Sequence, residues 1–129
     1  MNVLFVCIGN SGRSVMAERL FRRAAAGRHE TQSRGAAVSG DAAEPGVVEA
    51  LSELGIDATD HVPRQLDDEA LAWADIAVAV CPHDVCPVTP GVRRLSWPVD
   101  DPWGRPLGDV RVIRDAILER VEQLDSELR

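Results

Sequence analysis

The chain has 129 residues, 45% of them hydrophobic, which is enough for one core in one domain spanning residues 1–129. No apolar run approaches the ~20 residues that cross a bilayer, and its three cysteines, an odd number, speak against a secreted disulfide scaffold, so a cytoplasmic protein with reduced thiols and no membrane partner is expected. The net charge of −7 is uneven: residues 1–40 carry six arginines and two acids, residues 41–129 eight arginines and nineteen acids, a balance that excludes nucleic acid as a partner and reserves the basic segment for an anion.

In chain order, Val3-Leu4-Phe5-Val6 is an apolar run that reads as a buried strand. It runs into Cys7-Ile8-Gly9-Asn10-Ser11-Gly12-Arg13-Ser14 and then into an amphipathic helix with Met16, Ala17, Leu20, Phe21 and Ala24 on one face. A strand turning into a helix leaves backbone N–H groups unpaired. With the helix dipole they form a nest for a tetrahedral oxyanion. Arg13 can place two donors on two of its oxygens, and Gly9 and Gly12 let the backbone curl. The same positive field favours thiolate over thiol at Cys7, which the Ser14 hydroxyl can hydrogen-bond. The prediction is a nucleophile beneath an anion cradle, with Ile8, Gly9, Asn10, Ser11, Gly12 and Ser14 contacting the anion. The loop lacks Gly-Lys-Ser/Thr, which discounts a nucleotide cradle.

The first helix is expected to end near Gly27, its outer arginines, Arg19, Arg22, Arg23 and Arg28, standing in solvent. A short strand follows at Glu30–Ser33, then a small-residue loop. Pro45 opens a second helix, with Val47, Val48, Leu51 and Leu54 inward and Gly55 as its stop. His61 reads as a structural histidine. Asp67 is an N-cap for a short helix through Trp73. Ile76–Val80 is a continuous apolar strand of the kind buried on both faces of a parallel sheet. Cys81 leaves that strand as Cys7 leaves the first, so both should emerge on one sheet edge, with Cys86 close behind. Asp101-Pro102 places an acid in extended geometry. Val110, Ile113, Ile117, Val121, Leu124 and Leu128 make the stripe of a long last helix. With one more short strand, this is an α/β, three-layer fold: a four-stranded parallel sheet with helices on both faces.

Val3–Phe21, VLFVCIGNSGRSVMAERLF, resembles the phosphate-binding loop and first helix of the low-molecular-weight protein tyrosine phosphatases, and equally of the thioredoxin-coupled arsenate reductases that share their fold. Ser33-Arg34-Gly35, Gly55-Ile56-Asp57 and Arg64-Gln65-Leu66 are similar to segments of the same family. Cys86-Pro87-Val88-Thr89-Pro90 followed by Trp97-Pro98-Val99-Asp100-Asp101-Pro102 is similar to the reductases.

The resemblance implies catalytic roles for Cys7, Arg13, Asp101, Cys81 and Cys86. Cys7 attacks arsenate, Asp101 is the general acid, and Cys81 and Cys86 relay a disulfide outward to thioredoxin or a low-molecular-weight thiol. It implies no resident cofactor, though some members hold a potassium ion, here expected near Asn10 with Glu18 and Ser33. Two departures stand out: Cys81 and Cys86 are spaced more closely than in the reductases, and Trp103 after Asp-Pro is nearer the phosphatases. A phosphotyrosine phosphatase working through a phosphocysteine is therefore the alternative. Two ordinary buried cysteines, a zinc site from Cys81, His83 and Cys86, and a non-catalytic oxyanion sensor also remain open.

Overall fold

The computed structural model describes residues 1–81 and 90–129. Its elements run β1 (Asn2–Cys7), α1 (Arg13–Ala25), β2 (Glu30–Gly35), α2 (Pro45–Ser52), α3 (Asp68–Trp73), β3 (Ile76–Ala79), β4 (Arg93–Ser96) and α4 (Leu107–Glu127). The strands form one parallel sheet in the order β2-β1-β3-β4. The α/β class and the four-stranded parallel sheet are thus as the sequence predicts. β2 continues two residues past Ser33, because Val6 and Cys7 pair with Arg34 and Gly35.

Alternation along the strands separates two apolar layers. Val3, Phe5, Ile76 and Val78 face a large cluster with α1, α2 and α4, where Phe5 lies 5.7 Å from the Phe21 ring and 5.8 Å from Trp97. Leu4, Val6, Ala77 and Ala79 face a smaller cluster with Ala70, Leu71 and Ala74 of the α3 segment. Both faces of β1 and β3 are covered, which is why these strands carry no polar alternation.

The helix caps follow local chemistry. Asp67 accepts from the Ala70 N–H at 2.8 Å and Glu44 from the Val47 N–H at 3.2 Å, with Pro45 in the first turn of α2. α1 ends near Gly27 as expected, with Ala26 (φ 49°) and then Gly27 (φ 85°) in the left-handed conformation. Of the arginines on and just past the outer face of α1, Arg22, Arg23 and Arg28 are exposed as expected and Arg19 is half-buried, and all four are also paired. Arg22 pairs with Glu18 at 2.6 Å, Arg28 with Asp125 at 2.6 Å, Arg19 with Asp60 at 3.1 Å, and Arg23 donates to the Leu54 carbonyl at 2.6 Å. Among the described residues, no helix is long and apolar enough to cross a membrane.

Candidate active site

The chain crosses from one side of β1 to the other between β2 and β3, so the crevice at the carboxyl ends of β1 and β3 is the topological switch point. Cys7 ends β1 there and is 3% exposed. The loop after it is held from β2: the Ala36 N–H donates to the Cys7 carbonyl at 2.9 Å and the Ala37 N–H to the Ile8 carbonyl at 2.8 Å. A Cβ on Gly35 would stand 2.7 Å from the Ile8 oxygen and 3.0 Å from the Asn10 nitrogen, so only glycine lets β2 approach this closely.

Within the loop, Asn10 takes the left-handed conformation, φ 53°. The sequence points to Gly9 and Gly12 for the curl, and neither has a positive φ. Asn10 holds this conformation because its polar groups are engaged. Its carbonyl receives His61 Nε2 at 2.7 Å, its Oδ1 receives the Arg64 N–H at 2.9 Å, and its Nδ2 donates to Ser14 Oγ at 2.9 Å. Its own N–H reaches Cys7 Sγ at 3.3 Å. Since Asn10 donates to Ser14 Oγ, the Ser14 hydroxyl is left to donate to Cys7 Sγ, 2.9 Å away. His61 is structural, as expected, and what it supports is the loop.

Arg13 is the first residue of α1, 6% exposed, with Nη1 donating to the Val99 carbonyl at 3.0 Å. That bond ties the start of α1 to the segment carrying Asp101. Gly12 caps α1 without a side-chain hydrogen bond, which leaves the first-turn N–H groups directed at the crevice. A Cβ on Gly12 would lie 3.1 Å from Pro102 Cγ, so here glycine admits the Asp101-Pro102 loop. Asp101 Oδ1 accepts from the Trp103 N–H at 3.0 Å. Cys7, Gly9, Ser11, Gly12, Arg13, Asp101, Pro102 and Trp103 line one small cavity of about 30 Å³. Trp103 is 75% exposed at its mouth. Glu44 also lines it, pinned by its N–H to the Ser11 carbonyl at 2.8 Å, and sequence reasoning passed it over because its only visible sign was its place before Pro45.

β3 stops at Ala79, one residue short of the expected strand, so Cys81 comes two residues after it; it is fully buried and forms no disulfide with Cys7. Val6 pairs with Ala79, so the two cysteines leave neighbouring parallel strands at the same edge. Cys86 and His83 lie outside the described residues. A buried thiol, a guanidinium, a helix N-terminus and a carboxyl group around one cavity can attack a tetrahedral oxyanion, hold its charge and protonate what leaves.

Residues 2–129 match the family described as low molecular weight phosphotyrosine protein phosphatase. The chain belongs to that family. It is 36% identical over 127 residues to an arsenate reductase of Bacillus cereus, covering 96% of this chain and 93% of that one. An arsenate reductase of Archaeoglobus fulgidus superposes with a TM-score of 0.84 at 35% identity, over 96% of this chain and 98% of the other. A thioredoxin-dependent arsenate reductase of Corynebacterium glutamicum superposes with a TM-score of 0.83 at 30% identity, over 98% of this chain and 60% of the other. The low molecular weight phosphatase family is one of enzymes, and this chain is one of them.

The oxygens expected to hold potassium do not fit a cation. Asn10 Oδ1 is taken by the Arg64 N–H, and Glu18 by Arg22 and by the Ser33 hydroxyl at 3.0 Å. The Arg22 guanidinium already stands where a cation would balance Glu18.

Proposed function

We propose that this protein is an arsenate reductase that works through a nucleophilic cysteine and an intramolecular disulfide relay recycled by thioredoxin. The observation that carries the reading is that Cys7, which shares its cavity with Arg13 and Asp101, and Cys81 leave adjacent parallel strands at the same sheet edge. A phosphatase needs only the first of these thiols.

In this reading the Cys7 thiolate attacks the arsenic of arsenate, whose oxygens are held by Arg13 and the loop amides from Ile8 to Arg13. Asp101 protonates the departing oxygen, which leaves as water. Cys81 then attacks Cys7 sulfur. The S–S bond forms as the As–S bond breaks, and its electron pair reduces arsenic(V) to arsenic(III), released as arsenite. Cys86 attacks Cys81, returns Cys7 to its thiol form and leaves a Cys81–Cys86 disulfide. Thioredoxin, or a low-molecular-weight thiol, supplies two electrons to reopen it, so no resident cofactor is needed. The chemistry fits the reducing cytoplasm.

The second reading is hydrolysis of a phosphate monoester through phosphocysteine, with Asp101 first as acid and then as base for water. The exposed Trp103 at the cavity mouth favours it, since it offers an aryl group a stacking face. Arsenate-dependent NADPH oxidation with thioredoxin and thioredoxin reductase separates the two, run on wild type, Cys81→Ser and Cys86→Ser beside aryl phosphate hydrolysis. The relay predicts fast oxidation lost in both variants, with hydrolysis retained. Oxidation absent in wild type, with equal hydrolysis by all three, makes the protein a phosphatase.

A further inference from the structure

A second cleft, of about 350 Å³, adjoins the catalytic loop. Four arginines line it, Arg19, Arg22, Arg34 and Arg64, against two carboxylates, Glu18 and Asp60. Arg22 pairs with Glu18 and Arg19 with Asp60. Arg34 and Arg64 therefore leave the cleft with a surplus of two positive charges. Nε of Arg19, a donor on a residue of this cleft, is buried without a hydrogen-bond partner among the described residues. This is the region where the family resemblance put a cation, and its charge is the wrong sign for one.

We propose that this cleft binds a small multivalent oxyanion of the inorganic sulfate or phosphate class, separately from the catalytic anion. Guanidinium groups suit this chemistry because each can direct two donors at tetrahedral oxygens. The cleft is also wired to the nucleophile. His61 and Arg64 line it, and the His61 ring and the Arg64 backbone N–H hold the carbonyl and Oδ1 of Asn10 at 2.7 and 2.9 Å. Asn10 in turn sets Ser14, which faces Cys7. An anion held by the Arg64 guanidinium pulls on the backbone whose N–H supports Asn10, and so alters the reactivity of Cys7. This coupling rests on Cys7 being the nucleophile of the proposed function, whereas the binding does not.

The test is calorimetric titration of the full chain with sodium sulfate at ionic strength matched by sodium chloride. Wild type, Arg13→Ala and the double variant Arg34→Ala/Arg64→Ala are compared. Arg13→Ala keeps one bound sulfate, and the double variant loses that site. Arg64→Gln, a milder change at an exposed side chain, weakens it by about tenfold, the worth of one charge-assisted hydrogen bond. In Arg13→Ala, sulfate changes the rate at which iodoacetamide alkylates Cys7. That effect disappears when the Arg34 and Arg64 changes are added. Sulfate binding abolished by Arg13→Ala alone, or unaltered in the double variant, overturns the proposal. So does a melting temperature that responds to potassium in place of sodium and not to sulfate. An alkylation rate indifferent to sulfate overturns the coupling. Failure of arsenate reduction and of ester hydrolysis together would defeat the proposed function and leave the sulfate stoichiometry standing.

Discussion

Ser14 sits between Asn10 and Cys7, 2.9 Å from each, and this fixes the direction of its hydroxyl proton toward sulfur. A hydrogen bond to a charged group contributes about 1.5–3 kcal/mol. Ser14→Ala should therefore lower kcat/KM for aryl phosphate by roughly ten- to a hundredfold, with the melting temperature nearly unchanged; an undiminished kcat/KM would remove Ser14 from the site. Gly35 is constrained by backbone, since a Cβ would lie 2.7 Å from the Ile8 oxygen and 2.8 Å from Val38 Cγ2. Overpacking of this kind costs about 1–3 kcal/mol. Gly35→Ala should lose that much in urea unfolding and displace the loop, so that activity falls along with stability. The gathering of Cys7, Arg13 and Ser14 around one strand–loop–helix turn was legible in the sequence, because the apolar run and the amphipathic helix that bound the loop are close-set. The left-handed Asn10 was not, because its three side-chain and carbonyl partners, His61, Arg64 and Ser14, come together only in the folded chain.

Between elements, the least legible contacts are ionic. The apolar stripe of α4 could be read from periodicity, and Val110, Ile113, Ile117, Val121 and Leu124 are all buried. Arg114 lies in the same buried face, donating to the Ala50 carbonyl at 2.8 Å and to Glu53 at 2.8 Å. Periodicity gives no sign of it, because an arginine at such a position normally lies in solvent. Glu53, just past α2, is also gripped by Arg111, at 2.6 Å. The hydrogen bond from Arg111, with Arg114 adding to it against some desolvation, holds the Glu53 carboxyl down at about 2, from an ordinary 4.5. A depressed folded-state value means that the stabilisation is present above pH 4.5 and is lost as pH falls from there toward 2. Wild type should thus melt above Glu53→Gln at neutral pH, and the gap should narrow as the medium is acidified through that window. A gap of the same size at neutral pH and at the acid end of the window would show that the pair does not hold α2 to α4 through charge.

Over the whole molecule, the site and the core occupy different ends of the same elements. Cys7 and Arg13 stand at the carboxyl end of β1 and the amino end of α1, while Leu20 lies about two turns further along α1, 1% exposed in the large cluster that α1 shares with α2 and α4. The three-layer plan was readable because the apolar runs at β1 and β3 have no polar alternation, whereas the sorting of helices was not: α1, α2 and α4 share one apolar layer, and the short α3 segment supplies the other. That asymmetry concentrates stability on one face. Leu20→Ala should cost about 2.7–5 kcal/mol, the range for truncating a buried leucine. Because the cavity would form well below the oxyanion loop, kcat/KM at 25 °C should stay within about twofold of wild type while the protein remains folded. Urea unfolding followed by tryptophan fluorescence, to which Trp97 packed on Phe5 contributes beside Trp73 and Trp103, and by far-ultraviolet circular dichroism should give one coincident transition. If the variant instead lost activity in proportion to stability, the oxyanion loop would depend on core packing along the whole of α1, and the hydrogen bonds around Asn10 would not be enough to hold it.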